Sequence, residues 1–197
     1  MKIEIKNIFT GEVIFSHESD NNTIRLTLEL AVNKKQILRG ADLRNAYLRN
    51  ANLSYADFSG VYLRNANLSY ANLRDTNLRD TDFRGADFRG ADFRGADFRG
   101  ADLNDADLRN TCIRNAIGNK KEIRSLQLST WNIVFNMDLK VMAIGCEEHT
   151  FGEWKNFTDK EISKMDYYAL EWWKKWKEFI FMAIELSEEK SWTVIQN

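Results

Sequence analysis

The sequence predicts a mainly β protein whose centre is a solenoid, that is, a chain wound repeatedly around one axis. Sixteen consecutive pentads run from Gln36 to Asn115, and the third residue of every pentad is Leu, Phe or Ile. Five residues turn an α-helix by about 140°, and in a straight strand successive third residues alternate faces, so neither element buries all of them together. They share one interior only if the chain bends once per pentad. The absence of proline also favours continuous backbone ladders.

The third residues are Leu38, Leu43, Leu48, Leu53, Phe58, Leu63, Leu68, Leu73, Leu78, Phe83, Phe88, Phe93, Phe98, Leu103, Leu108 and Ile113. The first residue of each pentad is nearly always small, mostly Ala. The motif A(D/N)LXX, as in Ala41-Asp42-Leu43-Arg44-Asn45, resembles the pentapeptide-repeat proteins. That resemblance implies a right-handed quadrilateral β-helix with four pentads per coil, and hence about four coils for these sixteen pentapeptides.

Residues 81–100 repeat one pentad almost verbatim, as TDFRGADFRGADFRGADFRG. With four pentads per coil, this stretch places four phenylalanines in one interior layer and four arginines outside it. A layer that looks alike on all sides is poorly suited to specify a partner. We therefore predict that residues 81–100 are a spacer that sets length and stability.

Residues 1–35 are predicted to cover the N-terminal end of the solenoid as a cap of one hairpin and one short helix. Two strand-like runs flank Thr10-Gly11, which suits a hairpin turn. The helix then begins after a capping residue, Asn22 or Thr23. The alternation of Ile24, Leu26 and Leu28 would also suit a strand, but the cap and the exit Ala-Val-Asn-Lys-Lys favour a helix.

Residues 116–197 are predicted to form a C-terminal module with a small antiparallel sheet, or β-meander, followed by helices. The pentads break where Gly118 takes the central position, and three strand-like runs follow. Thr150 and Thr158 each precede a Glu by three residues, which matches the capping box that begins a helix. The last helix is expected over residues 166–187.

The outward-facing residues carry positive and negative charges in nearly equal numbers. Residues 36–115 contain twelve arginines and eleven aspartates, and the whole chain has 28 basic and 29 acidic residues. The resemblance implies a possible function as a DNA mimic, because some pentapeptide-repeat proteins resemble a DNA duplex and bind DNA gyrase in its place. Such a mimic needs sustained acidity, which this surface lacks. Asp also lies two positions from six of the twelve arginines, which argues against direct nucleic-acid binding.

Tyrosines interrupt the repeat near its start. Tyr47, Tyr55, Tyr62 and Tyr70 occupy outward positions within the first two predicted coils, among Ser and Asn residues. Tyr, Ser and Asn together suit adaptable contact surfaces, so we predict that these tyrosines contact a partner. The alternative is tolerated surface variation, with the rings packing over neighbouring columns.

The last predicted helix carries a second candidate surface. Its apolar arc spans about 220° at 100° per residue, which is wider than burial on one side requires. We predict that Trp172, Trp173, Trp176 and Phe179 contact a partner or a second copy in a homodimer. One alternative is a helix buried between the sheet and the last coil. The other is an interfacial membrane helix, which the glutamates disfavour.

Catalytic chemistry has few candidate residues. His17 and His149 are the only histidines, and Cys146 with His149 lacks the second ligand pair of a zinc site. Glycines spaced by five mark the corners of a coil and do not form a phosphate-binding loop. We predict no enzyme activity, no catalytic residue, no cofactor and no metal.

The compartment is predicted from what the sequence lacks. It has no apolar signal segment, no run of about 18 apolar residues and no disulfide framework, so we predict a cytoplasmic protein without a membrane span. The expected function is a non-enzymatic β-helical scaffold that binds a protein partner. One origin consistent with this function is a bacterial or phage protein that acts on a host target. The alternative is a DNA-mimicking modulator or inhibitor of a nucleic-acid enzyme such as DNA gyrase or a defence nuclease. A third is a purely structural module.

Overall fold

The computed structural model describes residues 1–119, 123–128, 131–137, 139–145 and 147–188. The chain divides into two compact units, Met1–Glu148 and His149–Asn197. This division differs from the sequence-predicted boundaries after residues 35 and 115, which remain predictions.

The N-terminal segment contains a hairpin and a helix where the sequence places them. Strands β1 (Lys2–Lys6) and β2 (Val13–Glu18) pair antiparallel, and helix α1 spans Ile24–Asn33. Thr23 is the N-cap, and its hydroxyl accepts the Leu26 N–H at 3.1 Å. The Asn22 side chain is buried and donates to the carbonyl oxygen of His17 at 2.7 Å.

The hairpin joins the pentads through backbone hydrogen bonds. The Ile8 N–H donates to the Gly40 carbonyl at 2.9 Å, and the Asp42 N–H donates to the Lys6 carbonyl at 2.8 Å. Ile5 of β1 and Leu28 of α1 are buried in the same apolar cluster as the pentads. The core of the first unit is therefore continuous from the hairpin into the repeats.

The pentads pair with one another at intervals of twenty residues. Parallel bridges join Asp42 to Tyr62 and Tyr62 to Asp82, and similar series run through the rest of the array. The N–H of a central residue donates to a carbonyl nineteen residues later, as Leu43 does to Tyr62 at 2.8 Å. Each pentad therefore lies beside the fourth pentad after it, so equivalent side chains form columns along the array.

The interior of the array is filled by apolar side chains. All sixteen central residues are at most 3% exposed. Burial of each contributes roughly 1.5–3 kcal/mol before the entropy of folding is subtracted. Thr76 and Thr81 replace the usual Ala at the first position, and both are buried. Their hydroxyls donate to carbonyl oxygens at 2.6 and 2.8 Å, so neither polar group is buried without a partner.

The fifth residue of every pentad has a left-handed backbone, with φ between 54° and 75°. This conformation explains why the position is mostly Gly, Asn or Asp, which tolerate positive φ better than other residues. The array ends at Gly118, where an added Cβ would lie 2.0 Å from the Ile123 carbonyl oxygen. A side chain at residue 118 would therefore collide with the returning backbone.

A four-stranded sheet follows the pentads, in the order β3-β4-β5-β6, with antiparallel pairing of β3 with β4 and of β4 with β5. Its strands are β3 (Ile123–Leu128), β4 (Trp131–Asn136), β5 (Val141–Ile144) and β6 (Glu147–Thr150). The sequence predicted only three strands, because the fourth is the polar run Glu-Glu-His-Thr and has no apolar alternation.

Three helices complete the described chain: α2 (Phe151–Asn156), α3 (Asp159–Met165) and α4 (Ala169–Glu188). Thr150 and Thr158 form the two capping boxes that the sequence predicted, with Glu153 and Glu161 as their reciprocal partners. Within the second unit, α3 and α4 contact each other, and Lys174 Nζ lies 2.6 Å from Asp159 Oδ2.

Candidate interaction surface

Aspartate and arginine side chains pair within single pentads on the outside of the array. In one such pentad, Arg89 Nε donates to Asp87 Oδ1 at 2.9 Å and Nη2 donates to Oδ2 at 2.7 Å. The Arg89 backbone N–H also donates to Oδ1, at 3.1 Å. This two-pronged geometry fixes the guanidinium flat against its own pentad. The pairs are Asp42–Arg44, Asp82–Arg84, Asp87–Arg89, Asp92–Arg94, Asp97–Arg99 and Asp107–Arg109.

The pairing holds both partners in their charged forms. Hydrogen bonds from the Arg84 guanidinium lower the pKa of the Asp82 carboxyl, and Arg89 lowers the pKa of Asp87 in the same way. The same bonds raise the pKa of both arginines. Because these six carboxylates are each matched by an arginine two residues away, opposite charges lie side by side along the array.

Residues 81–100 supply a ring of aromatic side chains to the core. Phe83, Phe88, Phe93 and Phe98 are completely buried. Successive rings meet edge to face, with centroids 5.0, 5.0 and 4.8 Å apart. Edge-to-face contacts at this separation add stability beyond burial alone.

The glycines of this stretch receive side chains from the preceding turn. An added Cβ would lie 2.7 Å from the Tyr70 ring at Gly90 and 2.1 Å from Asp75 Oδ1 at Gly95. Glycine is therefore needed for packing as well as for positive φ. The corners of the coil alone therefore do not explain these glycines; the bulkier fifth residues twenty positions earlier are the signal in the sequence that predicts this packing.

The four predicted tyrosines lie on the first turns of the array in different environments. Tyr47, Tyr55 and Tyr70 are 62%, 75% and 56% exposed. Tyr62 is half-buried and its ring meets Phe9 edge to face at 5.6 Å. The structure thus leaves three tyrosines open to solvent and packs the fourth under the hairpin turn.

Tyr55 and Tyr70 have an unusual backbone for bulky residues. They occupy the fifth position of their pentads with φ of 61° and 59°. A large side chain in this region is strained relative to Gly or Asn. The Tyr70 ring lies 4.6 Å from the Arg49 guanidinium carbon and over Gly90, so it packs along its column. Tyr55 has no aromatic or cation–π partner among the described residues.

The predicted contact residues of α4 also differ in accessibility. Trp172 and Trp173 are buried, Trp176 is half-buried, and Phe179 is 40% exposed. Trp173 packs against Trp154 at 5.3 Å within the second unit. A more accessible apolar stripe combines Phe179 with Met182 and Leu186, which are 49% and 60% exposed. Their spacing of three and four residues places them on one helix face.

The described part of the chain contains no group of three or more His, Cys, Asp or Glu side chains arranged to hold a metal ion. Cys146, half of the zinc pair considered from the sequence, lies outside the described residues. His149 packs its ring against Trp154 and Phe157 at 5.3 and 4.8 Å. Among the residues that the structure covers, no helix is both long and apolar enough to cross a membrane.

A chain whose pentads pair every twenty residues around a shared apolar interior is a repeat protein of the β-helical class. The family model described as pentapeptide repeats matches in eight copies over residues 35–65, 56–95 and 81–117. The protein belongs to the pentapeptide-repeat family, whose members fold as right-handed β-helices.

Several solved structures resemble parts of this chain. A pentapeptide repeat protein from the thylakoid lumen of Arabidopsis thaliana is 36% identical over 40% of this chain and 55% of its own, with a TM-score of 0.38. A pentapeptide repeat protein from Nostoc PCC 7120 is 33% identical over 52% of this chain and 86% of its own, with a TM-score of 0.26.

QnrB1, a plasmid-mediated fluoroquinolone resistance protein, is 28% identical over 40% of this chain and 49% of its own, with a TM-score of 0.17. This chain therefore spans about half the length of the Arabidopsis protein and of QnrB1. No curated protein sequence matches it.

Proposed function

We propose that this protein is a non-enzymatic scaffold that binds a protein partner through the tyrosines of its first pentads, Tyr47, Tyr55, Tyr62 and Tyr70. In this proposal the pentads form a right-handed quadrilateral β-helix of about four coils. The hairpin and α1 cover its first coil, and residues 116–197 form a separate C-terminal module.

The observation that carries the proposal is that Tyr55 combines a strained backbone conformation with an exposed ring. Fourteen of the other fifteen fifth positions hold Gly, Asn or Asp, and the remaining one is Tyr70. A left-handed backbone at a residue other than Gly costs about 1–3 kcal/mol when the side chain is bulky. The Tyr55 ring is 75% exposed and gains no aromatic or cation–π partner among the described residues. Strain without local compensation supports a role in contacting another molecule.

Residues 81–100, which we call the regular stretch, support the same assignment of binding to the first pentads. Its aspartates and arginines satisfy one another within each pentad, so few unpaired donors or acceptors remain for a partner. Tyr residues, in contrast, supply large contact area with little loss of side-chain entropy. The partner therefore contacts the irregular first pentads, and residues 81–100 maintain spacing and stability.

The C-terminal helix provides a second proposed contact, with a partner or with a second copy in a homodimer. Phe179 is the most exposed of the four predicted residues on α4. The burial of Trp172 and Trp173 gives them a packing role, so we centre this contact on Phe179, Met182 and Leu186.

DNA mimicry directed at gyrase or a defence nuclease ranks second. Six of the eleven aspartates that a mimic would present are instead paired with arginines within their own pentads. We also propose that this is a bacterial or phage protein that acts on a host target in the cytoplasm. The thylakoid-lumen relative means that the family is not restricted to that compartment.

The test is affinity capture from a bacterial lysate with mass-spectrometric identification, using the parent protein and a Tyr55→Asn, Tyr70→Asn variant. Asn occupies the same backbone conformation at Asn45 and Asn50, so the variant should remain folded. We expect a partner that the parent captures and the variant does not. Equal capture by both folded proteins would refute the tyrosine surface. Capture of gyrase or a nuclease by both would favour mimicry.

A further inference from the structure

A shallow groove of about 380 Å³ lies on the outside of the first pentads. It is lined by Asp42, Arg44, Asn45, Arg64 and Asn65, and we call it the Arg64 groove. The two arginines and the two asparagines are each twenty residues apart, so they are stacked neighbours in two adjacent columns. The groove therefore presents guanidinium and amide groups side by side.

The two arginines of the groove differ in their pairing. Arg44 Nε and Nη2 each donate to a different oxygen of Asp42, both at 2.8 Å. Arg64 has Tyr62 at the position that Asp42 occupies in the earlier pentad. Arg64 is exposed, and within the described residues it forms no ion pair shorter than 4 Å.

The carboxylates near Arg64 already have partners. Arg64 contributes through space to the lowered pKa of Asp82, after the larger effect of Arg84. Both oxygens of Asp82 accept from Arg84, at 2.8 and 2.6 Å. Asp42 is likewise occupied by Arg44. Two arginines and one aspartate line the groove, which leaves one positive charge, centred on Arg64, without a matched carboxylate.

The remaining wall of the groove is polar and held in place. Asn45 and Asn65 have φ of 58° and 55°, and the Asn45 N–H donates to the Arg64 carbonyl at 2.9 Å. A guanidinium presents several N–H donors in a planar fork that fits a carboxylate or a phosphate group. Amide side chains beside it can donate to the remaining oxygens of such a group.

We propose that the Arg64 groove binds a single oxyanionic group, a carboxylate or a phosphate, with Arg64 as its main ligand. One turn before and one turn after, Arg44 and Arg84 show the same chemistry occupied from within, because Asp42 and Asp82 fill their guanidinium forks. Tyr62 leaves that position open for an external anion. This site goes beyond the proposed partner surface and does not require that a protein partner exists.

The repeat itself offers a matched test. Asp82 and Arg84, one turn later, have the Asp-x-Arg spacing that Tyr62→Asp would give to Arg64. The new carboxylate would then fill the guanidinium fork of Arg64 from within the chain. Tyr62→Phe retains the ring that meets Phe9 at 5.6 Å and leaves the fork open. The two variants therefore separate loss of the open fork from loss of the tyrosine hydroxyl.

The experiment follows the Nε–Hε resonances of the arginines by NMR while sodium acetate or inorganic phosphate is added at low ionic strength. We expect a saturable shift at Arg64 with at least one probe, and the preferred probe identifies the ligand as a carboxylate or a phosphate. Arg84 should shift little, because Asp82 occupies it. Tyr62→Phe should bind as the parent does, and Tyr62→Asp should weaken binding about tenfold or more, as loss of a charged hydrogen bond predicts.

Three results would overturn the proposal. They are no saturable shift at Arg64 with either probe, an equal shift at Arg84, and undiminished binding by folded Tyr62→Asp. Thermal unfolding and the amide spectrum establish whether each variant is folded. If Tyr62→Asp does not fold, the variant Arg64→Gln takes its place in the experiment, because it exchanges the charged guanidinium for a neutral amide. Binding that survives this change would also refute the site.

Discussion

Replacement of Phe88 by leucine tests whether the ring of phenylalanines stabilises the array beyond simple burial. Phe88 is completely buried and meets two ring neighbours, Phe83 and Phe93, edge to face at 5.0 Å. Phe58 is equally buried but has no aromatic partner among the described residues. For both residues, the central residues one turn before and one turn after are leucines. Phe58→Leu is therefore a matched control for Phe88→Leu.

The expected difference follows from these contacts. Both substitutions remove the same volume from similar columns, so their losses of transfer free energy and packing largely cancel in the comparison. Phe88→Leu also removes two edge-to-face pairs, each worth about 0.5–1.5 kcal/mol, so it should cost about 1–3 kcal/mol more. At about 2–4 °C per kcal/mol for a chain of this size, its Tm should be about 2–12 °C lower than that of Phe58→Leu.

Urea and thermal unfolding, followed by circular dichroism, measure both variants against the parent protein. Equal losses of stability would refute the aromatic contribution, because burial would then account for the whole effect. A larger loss for Phe58→Leu would show that column position matters more than ring contacts.

Three further predictions concern the outer surface and the turns. Gly90→Ala should lower the urea midpoint more than Gly60→Ala, because both have positive φ but only the former meets the Tyr70 ring at 2.7 Å; equal midpoints would contradict the packing argument. Tyr55→Asn should leave the Tm unchanged or raise it, because Asn tolerates φ of 61° better than Tyr, and a lower Tm would mean that the ring stabilises the fold. The pKa of Asp87 is lowered by its bonds from arginine, so its contribution to stability is full above the unfolded pKa of about 3.9 and is lost as the pH falls through the folded value. Asp87→Asn should therefore show a smaller loss of urea midpoint between pH 7 and pH 3 than the parent, and an equal loss would contradict the pairing.

The array could be predicted in detail because its period is a direct consequence of burial. A large apolar residue at every fifth position has few other solutions, and the central residues are buried throughout. The N-terminal hairpin, α1 and both capping boxes also followed from local signals, since turn and capping residues act within a few positions. In contrast, β6 has no apolar pattern because it is a short polar edge strand.

The candidate surfaces were less accessible to sequence reasoning because they depend on neighbours twenty residues away. The sequence identified Tyr70 as an outward residue, but only the structure shows that it packs between Arg49 and Gly90. Similarly, the unmatched charge of Arg64 becomes visible only when its pentad is compared with the turns beside it. On α4, hydrophobic periodicity could not determine which apolar residues remain exposed, since that depends on packing within the fold.

The most direct test of the central claim is the affinity of the captured partner for a protein in which residues 81–100 are duplicated. A second copy adds four pentads and keeps every column in register, and its glycines lie over the glycines of the first copy, which carry no side chain to obstruct the stacking. We predict that the dissociation constant equals that of the parent, because the regular stretch is a spacer and the tyrosines of the first pentads are unchanged. A substantial loss of affinity in the folded, lengthened protein would contradict this account and would show that the regular stretch takes part in binding.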